Sequence, residues 1–566
     1  MQKRWLFEGE FEYDAVLSLQ QEVNISESLA TLLVQRGVRS EEEAKSYFKP
    51  RISDLHNPFL MKDMDLAVAR LNQAIRNEEK VMIYGDYDVD GTTSVATFFG
   101  FLSSNYSGFS YYIPDRYKEG YGVSVDGIEY AAGENIKLII TLDCGIKAIN
   151  QVELAKSKGI DVIICDHHRP GEDLPNAVAI LDPKRSDCEY PYKELSGCGV
   201  GFKLLQGFCQ DNNILEEKLF QYLDLVAVSI ASDIVPITGE NRTMAYFGLK
   251  KLNQKPRPGL EALVNLCKSR KELTISGIVF GIGPRINAAG RMDHAGSAVD
   301  LLLAKSIDEA EQMATSIDHQ NDERRNFDST ITEEALEMIA NSEDILSAKS
   351  TVLFKHDWHK GVIGIVASRC IEKFYKPTII LTESNDMATG SARSVDGFDV
   401  YEAIAECSDL LEQYGGHKYA AGVTMDVENV EAFKERFEEV VSRNITEEQM
   451  IPVIKIDTVI FLDEISERFY QIVSRMAPFG PKNMQPVFVS ENVYATHAKL
   501  LKGEHLKFTV KQDGTNASFD AIGFGLGEYI DLVDSGMRFH LAYTVEENDF
   551  RGMKSLQLMI KDIKFD

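Results

Sequence analysis

Three aspartates at alternate positions, Asp86, Asp88 and Asp90, stand between an apolar run at 81–84 and Gly91 in the stretch VMIYGDYDVDGTTS. Carboxylates spaced this closely raise one another's pKa and destabilise a fold unless a cation lies among them. A bound metal is the direct explanation. Calcium comes first, because Asp-x-Asp-x-Asp-Gly also opens an EF-hand loop. The twelfth position holds Thr97 where a bidentate Glu is needed, and the residues before the loop read as a buried strand rather than an entering helix. A solvated acidic turn is the bland alternative, and further acids along the chain weigh against it.

Those acids end other apolar runs: Asp143 in TLDCGI, Asp166-His167-His168 in ICDHHRP, and Ser232-Asp233 in ASDIVP after an apolar helix at 219–230. Apolar runs at 81–84, 138–142, 162–165 and 177–181 alternate with helical stretches such as 147–158, the pattern of a parallel α/β sheet. In such sheets functional groups gather at the carboxyl ends of strands. Asp carboxylates with one or two imidazoles and no thiolate suit Mg²⁺ or Mn²⁺ rather than structural zinc. Two such ions sharing a carboxylate can activate water, clamp a phosphoryl group and stabilise a leaving oxygen, so phosphoester hydrolysis is the natural reaction class.

Around this core, residues 1–80 read as a helical region whose Ala67, Leu71, Ala74 and Ile75 form a core-facing stripe, and 81–300 as the catalytic α/β domain. Residues 301–350 are charged and helical, with Asp322, Glu323, Arg324 and Arg325 on a solvated spacer helix. A second α/β unit at 351–445 sets strands at 352–354 and 378–381 around a helix at 362–374. Residues 451–566 turn β-rich, with an Asp513-Gly514 hairpin signal and alternating Leu556, Leu558 and Ile560, as in a small OB-fold barrel.

The 566 residues, 44% hydrophobic, suffice for three or four domains. No stretch approaches the roughly 18 apolar residues of a membrane span, and the charged start MQKRWLFEGEFEYD is unlike a signal peptide, so a cytoplasmic protein without membrane contact is expected. Eight cysteines without CxxC pairs read as reduced, buried thiols. A net charge of -28 argues against indiscriminate DNA coating but permits one local basic, aromatic groove.

GDYDVDG, LDCGI, CDHH and ASDIVP, in this order, resemble the four motifs of the DHH phosphoesterase superfamily. IPDRYKEGYG, GENR, GPRINAAGRM, WHKGVIGIVASR, GSARS, YGGHKYAAG and the late APFGPKNMQPVF extend the resemblance over nearly the whole chain, toward the bacterial single-stranded-DNA exonucleases of that superfamily. The fold it implies is a parallel-sheet DHH domain and a second α/β domain, DHHA1, joined by a long helix, with a C-terminal OB-fold barrel. The implied activity is metal-dependent 5′ to 3′ hydrolysis of single-stranded DNA in recombination and repair, by a monomer working with a single-stranded-DNA-binding protein and a recombination helicase.

The resemblance also implies roles. Asp86 and Asp88 bind one Mn²⁺ or Mg²⁺, Asp90, His167 and Asp233 the other, and Asp143 bridges them. His168 touches the scissile phosphate and Asp166 orients its histidine neighbour. The pyrophosphatase branch has a histidine where this chain has Asp86, so Asp86 is expected to ligate only when both ions are present. Arg116, Arg285, Asn287, Arg291, Ser391, Arg393 and His417 are implied substrate contacts. PKNMQP departs from the usual Gly-Asn-Pro pattern, which affects a turn and not the chemistry.

Plainer readings stand beside several of these. Tyr111, Tyr112, Tyr117 and Tyr121, interleaved with Arg116 and Lys118, make either a strand track or edge packing; Gly91-Thr92-Thr93-Ser94 presents helix amides to phosphate or is merely capped. Arg285, Asn287 and Arg291 serve equally as salt-bridge and capping residues, Arg393 can pair with Asp396 or Asp399, and Gly415-Gly416 can turn the chain into a helix at Ala420-Ala421. Two other functions compete: a non-catalytic scaffold, opposed by the intact acid set, and a phosphodiesterase for short oligonucleotides or cyclic dinucleotides, opposed by the extra domains.

Overall fold

The computed structural model describes residues 3–7, 9, 12–267, 272–550 and 552–565. Its contacts divide the chain into two units that do not follow sequence order: Arg36–Asn321 with Ile472–Gln485, and Met1–Gln35 with Asp322–Gln471 and Pro486–Asp566.

The first unit is built on a five-stranded sheet of β1 (Val81–Gly85), β2 (Phe109–Tyr112), β3 (Leu138–Leu142), β4 (Asp161–Cys165) and β5 (Ala179–Leu181), in spatial order β2-β1-β3-β4-β5 and parallel throughout. Side chains alternate between two apolar layers, Ile83, Ile140 and Ile163 on one face and Met82, Tyr84, Ile139 and Ile164 on the other. A sheet covered on both faces has this near-continuous apolar reading. The register pairs Gly85 with Leu142, Leu142 with Cys165 and Cys165 with Leu181. The next residues, Asp86, Asp143, Asp166 and Asp182, therefore come off one edge side by side. Helices α1 (Val89–Ser103), α2 (Gly197–Asp211), α3 (Leu223–Ser232) and α4 (Gly283–Met292) complete the surroundings of that edge.

The long helix α5 runs Ile307–Ala340. Asp322, Glu323 and Arg325 on it are exposed as expected, but Arg324 is buried. It lies in the field of Asp328, a fully buried acid one turn on whose carboxylate also accepts a bond from Arg369 Nη2 at 2.8 Å. A charge run read from sequence as a solvated face thus hides one internal ion cluster.

In the second unit, β6 (Thr351–Phe354), β7 (Thr378–Ser384), β8 (Met387–Arg393), β9 (Gln413–His417) and β10 (Ala420–Asp426) form a mixed sheet in order β9-β10-β8-β7-β6. Helix α6 (Ile363–Lys373) packs on β7 and β8. Ala420 and Ala421 lie in strand β10, not in a helix: Gly415 pairs with Gly422 and Gly416 with Ala421 across a hairpin. The barrel comprises β11 (Phe488–Leu501), β12 (His505–Gln512), β13 (Ser518–Gly523), β14 (Phe539–Phe550) and β15 (Met553–Lys564), in order β11-β12-β13-β15-β14 and closed by pairing of β14 with β11. Bulges in β11 near Ser490/Val493 and Thr496/Lys499 let one strand serve both neighbours.

The amino-terminal region is not purely helical, because Arg4–Phe7 forms a strand parallel to Val453–Ile456. The Trp5 indole N–H donates to Asp562 at 2.7 Å. Positions 1, 2, 8, 10 and 11 of this region lie outside the described residues. Among the described residues no helix is long and apolar enough to cross a membrane, and seven of the eight cysteines are buried thiols.

Candidate metal centre

Asp86 leaves β1 fully buried, and neither of its oxygens has a hydrogen bond of ordinary geometry, the amides of Tyr87 and Gly122 reaching it only weakly. Two residues on, Asp88 caps α1 by accepting the Gly91 N–H at 3.0 Å. The Thr92 and Thr93 hydroxyls turn back onto α1 carbonyls, so the Gly91-Thr92-Thr93-Ser94 segment follows the capping reading. Gly91 is required by space: a Cβ there would lie 2.3 Å from the Asp86 carbonyl oxygen.

Asp90 points from the first turn of α1 to the start of α2. Its Oδ2 accepts the Gly197 N–H at 2.7 Å, and its Oδ1 accepts the Cys198 N–H at 2.9 Å and the Ser229 hydroxyl at 2.7 Å. Asp143 adopts a left-handed φ of 62° and donates its amide to the Cys165 carbonyl. It presses on Gly197, where a Cβ would approach Asp143 Oδ1 to 2.6 Å.

His167 is the hub. Its Nδ1 bonds the Leu195 carbonyl at 3.1 Å, and because a carbonyl only accepts, Nδ1 carries the proton and Nε2 presents its lone pair. That Nε2 lies 3.2 Å from Asp143 Oδ1, 3.5 Å from Asp233 Oδ2 and 3.9 Å from Asp90 Oδ2, without a hydrogen bond of its own. Asp90, His167 and Asp233 each offer a ligand atom within 4.8 Å of the others, as do Asp143, His167 and His168.

Burial, reinforced by neighbouring carboxylates, holds the Asp86, Asp143 and Asp233 carboxyls well above the usual range. Burial also pushes His167 down to about 4, keeping its imidazole neutral. Orphaned buried oxygens and a neutral nitrogen lone pair converging on one point fit a cation and little else. The adjoining thiols do not compete: burial drives Cys144 and Cys165 upward and Cys198 to about 12. An all-oxygen-and-imidazole donor set suits Mn²⁺ or Mg²⁺.

Asp166 is saturated rather than orphaned. Its Oδ1 accepts from His168 Nδ1 at 2.7 Å and from the His167 and His168 amides, and its Oδ2 from the Ile146 amide. Burial opposes its charge, but these donors and both imidazoles prevail and hold the carboxyl far below the ordinary range. For His168, burial lowers the pKa, yet the bond and charge of Asp166 outweigh it and raise the group to about 9. Its Nε2 meets the Tyr121 hydroxyl at 3.0 Å.

The aromatic stretch divides. Tyr112 stacks on Tyr84 with centroids 5.3 Å apart, and Tyr111 bonds Asp300, so both serve packing. Tyr121 meets Tyr87 edge-on at 6.0 Å, and the Arg116 guanidinium lies 4.8 Å over the Tyr87 ring, beside the acids. Helix α4 packs here through Gly290, where a Cβ would sit 2.8 Å from the Tyr87 carbonyl. Asn287 and Arg291 on α4 are half-buried, and the Arg291 carbonyl accepts the Tyr117 hydroxyl. Arg285 follows the plainer reading, being buried in an ion pair with Asp318 at 2.8 Å and bonded to the Gly281 and Leu266 carbonyls.

In the other unit, Arg393 Nη1 donates to Ser391 Oγ at 3.0 Å and to the Ala392 carbonyl at 2.7 Å. The expected alternative pairing is not made: Asp399 caps its own helix through the Tyr401 and Glu402 amides, and among the described residues no carboxylate bridges to Arg393. Gly364, in the first turn of α6, leaves space for both groups, since its Cβ would approach Ser391 Oγ and Arg393 Nη2 to 2.9 Å. His417 is exposed at the end of β9.

Sequence reasoning missed the layer behind the candidate ligands. Gly197 and Cys198 amides and the Ser229 hydroxyl position Asp90, and the buried Asp182, pushed up to about 7 by burial and by Asp166, ends β5 beside Asp166. The SGCGVG helix opening was the available signal for the first of these. Gly197→Ala is expected to displace Asp143 and lower turnover at least about 100-fold, while the melting temperature drops by a few degrees, because overpacking costs about 1–3 kcal/mol. Turnover and thermal melting of the variant check this.

A parallel sheet with acids and a histidine pair at its carboxyl edge defines the DHH class of phosphoesterases. Residues 80–230 match the DHH family, N-terminal domain, 347–443 the DHHA1 domain, and 456–562 the RecJ OB domain. The chain is 38% identical over 556 residues to the single-stranded-DNA-specific exonuclease RecJ of Bacillus subtilis, spanning 97% of this chain and 70% of that protein. It is 33% identical to the Escherichia coli exonuclease of the same name, spanning 94% and 95%. The crystal structure of Thermus thermophilus RecJ with Mn²⁺ superposes with a TM-score of 0.85 at 25% identity, covering 100% of this chain and 80% of that one. The chain belongs to the RecJ family.

Proposed function

We propose that the protein is a metal-dependent exonuclease that hydrolyses single-stranded DNA from the 5′ end. The observation that carries this reading is the convergence of Asp90, Asp143, Asp233 and the orphaned His167 Nε2 in a chain similar along its length to single-strand-specific exonucleases. Asp86 and Asp88 would hold one ion and Asp90, His167 and Asp233 a second, with Asp143 placed among both sets. Bound Mn²⁺ or Mg²⁺ supplies Lewis-acid polarisation of the phosphate and a nucleophilic water at neutral pH.

The protein's own groups do the rest. His168, kept charged by Asp166, turns its Nε2 proton from the Tyr121 hydroxyl to a non-bridging phosphate oxygen, where negative charge develops. Arg116, braced on Tyr87, grips the backbone and Tyr87 offers a stacking face. Asn287 and Arg291 border the reacting nucleotide, Arg285 holds α4 in place through Asp318, and His417 is a further substrate contact. A complete acid set disfavours a scaffold, and the OB barrel disfavours a dinucleotide phosphodiesterase. With Mn²⁺, a labelled single strand should be degraded and the same strand in duplex spared; equal degradation of both defeats the single-strand reading.

Polarity requires recognition of a terminus. Ser391 and Arg393, with no acid on the guanidinium, suit a terminal 5′-phosphate, which a planar fork binds in bidentate fashion. Arg393→Ala should cut cleavage of 5′-phosphorylated strands roughly 10- to 100-fold, the loss of about 1.5–3 kcal/mol for a charge-assisted bond. Strands with a 5′-hydroxyl should lose much less. A uniform loss would show that polarity is read elsewhere. The proposal extends to recombination and repair in the cytoplasm, as a monomer with a single-stranded-DNA-binding protein and a helicase, which co-purification from cells tests.

A further inference from the structure

Helix α3 ends at Ser232, Asp233 is its cap, and Ile234 follows with a left-handed φ of 59°. Helix ends commonly turn through this region, and glycine or asparagine takes the position because a branched Cβ clashes there. Among the described residues Ile234 is the one β-branched residue with positive φ. The apolar contact that such a turn needs is made by its neighbour: Val235 is buried in the core, whereas Ile234 is 63% exposed. The isoleucine therefore contributes neither packing nor an easy turn. Strain held at an exposed apolar residue points to function.

Its position says which function. Asp86, Asp90 and Asp143 are buried, and the cluster opens to solvent at Asp233, 27% exposed in its side chain, and at His168, 41% exposed. Ile234 directly follows Asp233 in the chain, and Tyr121, bonded to His168, is exposed. The remaining groups at the opening bind cations and phosphate, but a nucleotide also presents ring and sugar carbons that need an apolar partner. We infer that Ile234 is a substrate-contact residue, its branched side chain packing on the apolar face of the nucleotide that carries the scissile phosphate.

This rests on the nuclease reading above, and the test separates the two. Ile234→Gly relieves the turn and removes the side chain, while Ile234→Val keeps a branched apolar group. On a 5′-phosphorylated single strand at saturating Mn²⁺, the glycine variant should raise KM about 3- to 10-fold with kcat near wild type, the pattern of lost uniform binding. Its melting temperature and calorimetric Mn²⁺ affinity should not fall, and the valine variant should stay close to wild type. An abasic site at the departing nucleotide locates the contact: a deficit that vanishes assigns the base, and one that persists assigns the sugar. Unchanged KM in Ile234→Gly overturns the inference. So does a fall in Mn²⁺ affinity matching the KM change, which would mean that Ile234 only holds Asp233. Failure of the wild type to degrade the strand defeats the nuclease reading before any variant is compared.

Discussion

Asp143→Ala should abolish hydrolysis, with kcat down at least about 10³-fold, while the metal-free variant should melt no lower than wild type. The two halves of this expectation have different causes. Catalysis should fall because Asp143 Oδ1 lies 3.2 Å from His167 Nε2 at the middle of the cluster, so losing it should disturb every group proposed to hold metal there. Lewis-acid stabilisation is worth several kcal/mol, and each tenfold in rate is about 1.4 kcal/mol, which sets the size of the loss. Stability holds because Asp143 is buried beside Asp86, Asp88, Asp90 and Asp233, all of which oppose its charge. Alanine keeps the Cβ that packs on Gly197 and removes the repulsion, which offsets the roughly 1 kcal/mol cost of alanine at this left-handed φ. Adding Mn²⁺ should then raise the melting temperature of wild type more than that of the variant, since a ligand stabilises only the state that binds it. Near-normal turnover of Asp143→Ala at saturating Mn²⁺ would disprove its shared position.

The roles proposed for the adjacent histidines differ, and their variants should differ accordingly. His168→Ala should lower kcat about 100- to 1,000-fold, the size of losing one preorganised charge-stabilising donor, with Mn²⁺ affinity nearly unchanged. His167→Ala should instead weaken Mn²⁺ binding. The geometry makes the distinction: His167 is buried, neutral and turned to three carboxylates, whereas His168 is charged, partly exposed and held by Asp166 at 2.7 Å. Asp166→Asn should reproduce most of the His168 defect, because a neutral amide can neither stabilise the imidazolium nor enforce the tautomer. Calorimetric Mn²⁺ titration of the three variants beside their turnover decides it. Equal loss of metal affinity in both histidine variants would merge the roles.

How much of this was legible in the sequence depended on how local the cause was. Asp86, Asp143 and Asp166 each follow a short apolar run, and a parallel sheet in simple register brings such strand ends together, so a one-dimensional pattern sufficed. The SGCGVG stretch marks a helix opening, but its pairing with Asp90 was not legible, because Gly197 and Ser229 lie more than 100 positions along the chain and touch Asp90 only after α2 and α3 pack. Arg4–Phe7 was lost for the same reason, its partner strand beginning at Val453. At Ala420, small residues that read as helix lie in a hairpin, where pairing with β8 overrides propensity. Arg285 carried the motif of a substrate contact and the chemistry of an anchor, and only Asp318 distinguishes them.

The most direct test of the central claim follows a 5′-phosphorylated single strand, labelled at its 5′ end, mixed with protein stripped by EDTA and then supplied with Mn²⁺. Nothing should be released before the metal is added, and afterwards the label should leave as mononucleotide from the earliest times, with Asp143→Ala silent throughout. Release in EDTA, or internal fragments appearing before mononucleotide, would contradict a metal-dependent exonuclease centred on this cluster.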